Sequence, residues 1–195
     1  MDSVNSIKSR NDQKKLIGTV NYLLSLNDGS LNYMKLIKLM YLADRSHLEN
    51  YNEAISGDHY ANMPHGPVLS SLYNLIRGIS KDSCTQTLWD SLFYKKEYVL
   101  LANNTEQFVD ELSKAECETL KAIDARYKRK DCFQLEKVTH GLPEWKDPDG
   151  SSVPLTLRQI LTVLGRSAKD ISLIMSEKKA YSNERSLFDK YASQY

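Results

Sequence analysis

Residues Leu31–Gly78 read LNYMKLIKLMYLADRSHLENYNEAISGDHYANMPHGPVLSSLYNLIRG. Three linked pieces are visible: an apolar helix, a loop punctuated by Gly and Pro that carries His59 and His65, and a second helix behind Gly66-Pro67. Ser30 or Asn32 can cap the first helix, which is expected to run to about Asn50. Leu36, Ile37, Leu39, Met40, Tyr41, Leu42 and Ala43 leave it apolar nearly all round, and a helix of that kind is enclosed on several sides. It is therefore expected at the centre of a single compact, mainly α domain. Its charges, Lys35, Lys38, Asp44 and Arg45, are then expected to reach solvent or to rim a partner's groove. Glu53–Pro67 reads as irregular, with a short extended piece at Tyr60–Met63. Pro67 suits the first turn of a helix over Val68–Arg77, stopped by Gly78.

Upstream, Met1–Arg10 reads as a flexible lead-in. Asn11 or Asp12 can cap a helix over about Gln13–Leu26, with Leu16, Ile17, Val20, Leu23 and Leu24 on one face. Downstream, LWDSLFY and EYVLLAN in Leu88–Asn103 read as a β-hairpin turning at Lys95-Lys96, whose exposed edge is able to add a strand to a partner. Thr105 opens a short helix. Ser113 with Glu116 fits a capping box that starts a helix to about Tyr127, and Asp131 caps another ending near His140-Gly141. Leu142–Val153 reads as a loop. Thr156 caps Leu157–Leu164, and two further helical segments follow, about Ala168–Tyr181 and Glu184–Ala192. The expected organisation is a lead-in over 1–10, one domain over 11–150 and a helical extension over 151–195 packed on it.

The 26 Lys and Arg against 25 Asp and Glu leave a net charge of +1, so no global field draws the chain to nucleic acid or to an acidic membrane. The basic cluster Arg126–Lys130 is explained by the favourable interaction of cations with a helix C-terminus. Cys84, Cys117 and Cys132 are too far apart for a CxxC pair, and an odd count does not build a disulfide framework. With no signal-peptide run and no membrane span, the chain is expected to be cytoplasmic.

The motifs do not signal an enzyme, a cofactor or a metal. Asp44, His47, Asp58, His59 and His65 are close in sequence, but no HxxxH or HExxH sets two imidazoles on one helix face. No nucleophile elbow is present. Asp58 and His59 more simply hold the loop through backbone hydrogen bonds. Gly66 permits a tight backbone turn. The loop Met63-Pro64-His65-Gly66-Pro67 is expected to expose Tyr60, Met63 and His65, residue types favoured as partner anchors. Trp145 is expected to pack back on the core.

The stretch Lys35, Leu36, Lys38, Leu39, Tyr41, Ala43 and Asp44, continued by Gly57, Tyr60, Ala61, His65, Gly66, Pro67 and Val68, resembles the signature of the Panacea-domain proteins. These are the family of SocA-like antitoxins and phage-associated GepA-like proteins. Thr139-His140 with Pro143-Glu144-Trp145 resembles a later element of the same pattern. The resemblance spans roughly Lys14–Trp145 and leaves the last fifty residues unmatched. It implies an antitoxin that binds a protein toxin, encoded beside it, and blocks it. In one branch it implies an adaptor that delivers the toxin to an AAA+ protease. A DNA-binding regulator is the remaining alternative. The candidate partner-binding residues are Lys35, Lys38, Asp44, Arg45, Asp58, His59, Tyr60, Met63 and His65. Leu36, Leu39, Tyr41, Gly57, Pro64, Gly66, Pro67, Val68 and Trp145 are assigned to structure.

Overall fold

A computed structural model describes the backbone of residues 10–192 and the side chains of residues 12–181, 183 and 184. The lead-in expected over 1–10 lies almost wholly outside the described residues. Among these the fold is mainly α, with eight helices and two three-stranded antiparallel sheets.

Helix α1 (Arg10–Ser25) buries Leu16, Ile17, Val20, Leu23 and Leu24 completely. Its Gly18 lies so close to a 3₁₀ turn at Val109–Glu111 that an added Cβ would stand 2.0 Å from the Phe108 carbonyl oxygen. After β1 (Ser30–Asn32), the Asn32 side chain accepts from the amides of Met34 and Lys35 at 3.0 and 3.1 Å and starts α2 (Tyr33–Tyr51). Those amides have no partner inside the helix, which is why Asn is favoured there. Helix α2 packs against α1, α5 (Lys114–Tyr127), α6 (Cys132–His140) and α7 (Leu157–Val163), and against β3 (Gly66–Leu69) and α3 (Ser70–Arg77) as well. Capping boxes at Ser113, Asp131 and Thr156 start α5, α6 and α7 as their sequences predict.

The sheets depart from expectation. The extended piece Tyr60–Met63 is present as β2, but Gly66–Leu69 forms strand β3 and the helix α3 starts only at Ser70 (Ser70–Arg77). Pro67 is tolerated because β3 is an edge strand, in the order β3-β2-β6, with β6 at Val153–Leu155. Met63↔Gly66 closes the two-residue turn Pro64-His65, so the next pair, Asn62↔Pro67, is not hydrogen-bonded across the hairpin. The N–H that Pro67 lacks would have pointed away from β2, and no ladder bond is lost.

The second sheet, in the order β1-β5-β4 with β4 at Phe93–Lys96 and β5 at Val99–Ala102, joins β1 to the downstream hairpin. That hairpin is shorter than expected. Leu88–Leu92 belongs to α4 (Ser83–Leu92), which Asp82 caps and which buries Trp89. The strands are β4 (Phe93–Lys96) and β5 (Val99–Ala102), and the turn is Glu97-Tyr98, with Glu97 at a φ of 53°. The C-terminal segments form one helix, α8 (Ala168–Ala192), rather than two. No helix among the described residues is long and apolar enough to cross a membrane.

Candidate functional site

The loop after α2 is built on two buried carboxylates. Asp44 accepts from the Ser56 amide at 2.9 Å, from the Ser56 hydroxyl, and from the Tyr60 hydroxyl at 2.9 Å. Burial pushes its carboxyl up to about 6, against these hydrogen bonds, which favour the charged form. Asp58 accepts from the amides of His59 (2.6 Å), Ser71 (3.0 Å) and Leu72 (3.0 Å). It therefore caps α3 from twelve residues before that helix begins, supplying the negative charge that a helix N-terminus favours. Burial raises the Asp58 carboxyl as well.

A second layer ties the hairpin to the chain after α6. Glu144, whose side chain is fully buried, accepts at Oε1 from the Tyr41 hydroxyl (3.0 Å) and from Arg45 Nε (2.6 Å). Its Oε2 is buried with no protein partner. The Tyr41 and Tyr60 rings meet edge to face at 5.7 Å, so the Glu144 and Asp44 centres share one aromatic wall. Asn62 Nδ2 donates to the Glu144 carbonyl at 3.3 Å, and Trp145 Nε1 donates to the Met63 carbonyl at 3.2 Å. His140 stacks on Trp145 at 3.9 Å.

Lys38 completes the interior. It is 3% exposed, and its Nζ donates to the Pro67 carbonyl at 3.1 Å, the group that the Asn62↔Pro67 pairing turns outward. Burial pushes its ammonium down to about 8, partly offset by the charge of Glu136. Gly66, at a φ of 97°, lies over this corner: an added Cβ would stand 2.6 Å from Thr139 Oγ1 and 3.0 Å from Lys38 Nζ.

Residues 36–146, more than half of the chain, match the family described as antitoxin SocA-like, Panacea domain. The chain belongs to this family. No curated protein and no solved structure matches it. The matched span takes in most of α2, the β2–β3 hairpin, α6 and the Glu144-Trp145 latch, and leaves β6, α7 and α8 outside.

In the Panacea domain, several candidate binding residues turn out to be interior. Lys38, Asp44, Asp58 and Tyr60 are all buried, because each has a partner far along the chain that solvates it in place of water. The expectation that the loop exposes Tyr60, and that Lys38 and Asp44 line a rim, is corrected on that ground. Lys35 and Arg45 are half-buried and engaged, Lys35 Nζ with the Lys128 carbonyl at 2.9 Å and Arg45 with Glu144. His59 and Met63 are half-buried, and Pro64 and His65 are exposed at the hairpin tip. His65 Nδ1 lies 3.1 Å from Glu136 Oε1 on α6. One turn before Glu136, Phe133 is 68% exposed. Sequence reasoning missed Phe133 and Glu144. The available signals were an aromatic off the apolar face of a short capped helix, and unmatched Tyr41 and Arg45 on a helix that had to be buried.

The remaining histidine of interest, His47, pairs with Thr119 Oγ1 at 3.0 Å and packs on Tyr51. Among the described residues no group of three or more His, Cys, Asp and Glu side chains gathers to hold a metal ion. The basic cluster is partly committed internally. Lys128 Nζ donates to the Leu26 carbonyl (2.6 Å) and Asn27 Oδ1 (2.8 Å), and Arg126 lies over the Tyr127 ring.

Proposed function

We propose that this protein is a non-catalytic, cytoplasmic antitoxin that neutralises a protein toxin by direct binding. The face formed by Met63, Pro64 and His65 at the hairpin tip, with Phe133 and Glu136 on α6 and Trp145 beside them, carries part of the contact. The observation that supports this reading is the contrast within the matched span. Buried Lys38, Asp44 and Asp58 and the Arg45–Glu144 pair hold the hairpin from inside, while Pro64 and His65 at its tip and Phe133 on α6 are exposed. A rigid patch of that composition suits a partner anchor, because little side-chain entropy is lost on docking. The toxin is expected from the adjacent open reading frame. Expressing that frame alone should arrest growth, and coexpressing this chain should restore it. His65→Ala with Phe133→Ala should abolish the rescue while leaving thermal unfolding unchanged. Rescue that survives the double substitution would remove this face from the contact. A fall in toxin level on coexpression would instead favour delivery to an AAA+ protease.

A further inference from the structure

The second sheet carries a site of a different kind. Strand β4 is an edge of the order β1-β5-β4. Because Lys96↔Val99 closes a two-residue turn, the pair Lys95↔Leu100 is not hydrogen-bonded within the hairpin, and the amide and carbonyl of Lys95 point outward. The outward amide of Phe93 is already used by the Trp89 carbonyl, where α4 runs into the strand. The open part of the edge is therefore short and centred on Lys95. Beside it lies a groove between the end of α3, α4 and β4, lined by Ile76, Arg77, Trp89, Phe93, Tyr94 and Lys95. Phe93, Lys95 and Leu100 point to the same face of the sheet, so a strand added to β4 would send alternate side chains into this groove.

We propose that the β4 edge binds a short, extended, acidic segment of a partner protein by strand addition, with apolar side chains in the groove and carboxylates against Arg77, Lys95 and Lys96. Main-chain hydrogen bonds supply the affinity of such a mode and the pocket beside the edge supplies the selection. Charge decides the occupant. A second copy pairing edge to edge about a two-fold axis would set lysines opposite lysines, which is destabilising, and Lys on an edge strand is a recognised guard against self-pairing. An acidic strand meets the same lysines favourably. Asp90, on the far wall of the groove, has its carboxylate engaged by Gln86 Nε2 at 2.9 Å. Tyr94 and Tyr98, 52% and 64% exposed, flank the edge with the residue type enriched in interfaces.

The test titrates the full chain with the capped peptide Glu-Leu-Asp-Val-Glu and follows backbone amide shifts by NMR, with Lys-Leu-Lys-Val-Lys as control. The acidic peptide should shift the amides of β4 and the end of α3, and the basic one should not. Lys95→Pro removes the outward N–H without touching a hairpin hydrogen bond, and should weaken binding about tenfold. Lys95→Glu keeps the backbone donor and should weaken it by reversed charge. Both variants should keep the wild-type fold by circular dichroism. Absence of shifts at β4, equal binding of the two peptides, binding indifferent to Lys95→Pro, or a dimer in sedimentation that Lys95→Pro dissociates would each overturn the proposal.

Discussion

The two small sheets are of the same size and the same antiparallel kind, and both bury apolar residues in the core, Ala61, Val68, Leu69 and Leu155 in one and Leu31, Phe93 and Leu100 in the other, yet the first carries buried polar anchors besides. The β3-β2-β6 sheet is pinned by buried polar groups: Lys38 on the Pro67 carbonyl, Asp44 on Tyr60, Trp145 on the Met63 carbonyl. The β1-β5-β4 sheet is held by apolar burial of Leu31, Phe93 and Leu100, with lysines left on its edge. A polar anchor specifies register, since a slip of one residue would strand a buried charge. An apolar anchor gives comparable stability with less geometric demand. The first sheet is thus built to present one fixed tip, and the second to leave an edge available.

That contrast is open to attack by substitution. The largest effect is expected at Tyr60. Tyr60→Ala removes a buried ring and leaves Asp44 short of a donor, and should cost about 3–5 kcal/mol in urea unfolding. Leu100→Ala in the other sheet should cost about 2–5 kcal/mol. Arg45→Ala should approach the Tyr60 value, at about 3–5 kcal/mol, because it leaves Glu144 buried and uncompensated.

The pH dependence separates the two sheets more cleanly. The folded Asp44 carboxyl, raised to about 6, binds a proton that the unfolded chain gives up near its ordinary value of about 4. Its contribution to stability is greatest below the unfolded value and is lost as pH rises through the folded one, by on the order of 3 kcal/mol. Asp58, raised by burial, adds to the same slope. Lys38, lowered to about 8, has the opposite sign: its contribution grows as pH rises from about 8 toward its ordinary value of about 10.4. Asp44→Asn should flatten the acid side of the stability profile, and Leu100→Ala should shift the profile without changing its shape. A profile of Asp44→Asn parallel to wild type would refute the assignment.

Gly66→Ala should cost about 2 kcal/mol, from the left-handed backbone and from the clash at Thr139 and Lys38. Differential scanning calorimetry would register it as a lowered Tm. The smallest effect is expected at the tip. His65→Ala should change stability by no more than about 0.5 kcal/mol, so a loss of partner binding there reads as a loss of contact.

What the sequence announced was local. Asn32, Ser113, Asp131 and Thr156 each make their hydrogen bonds within three residues, and the helices they start are where the pattern predicts. What it concealed was non-local. Lys38 looks like a surface lysine until the Pro67 carbonyl, 29 residues on, is folded against it. Pro67 looks like a helix start because its compatibility with an edge strand depends on the phase of pairing with β2. Residues Val153–Leu155 become a strand only through β2. Trp145 was expected against the core and instead stacks on His140 and donates to the Met63 carbonyl, while Glu144 was hidden because its donors lie about a hundred residues earlier.

That separation has a consequence for synthesis. Tyr41 and Glu144 are 103 residues apart in the chain, so a ribosome delivers α2 and the hairpin strands well before the carboxylate and indole that lock them. Until residue 145 has left the exit tunnel, the nascent hairpin lacks its latch, and a product ending before that point is a substrate for proteolysis rather than a smaller working domain.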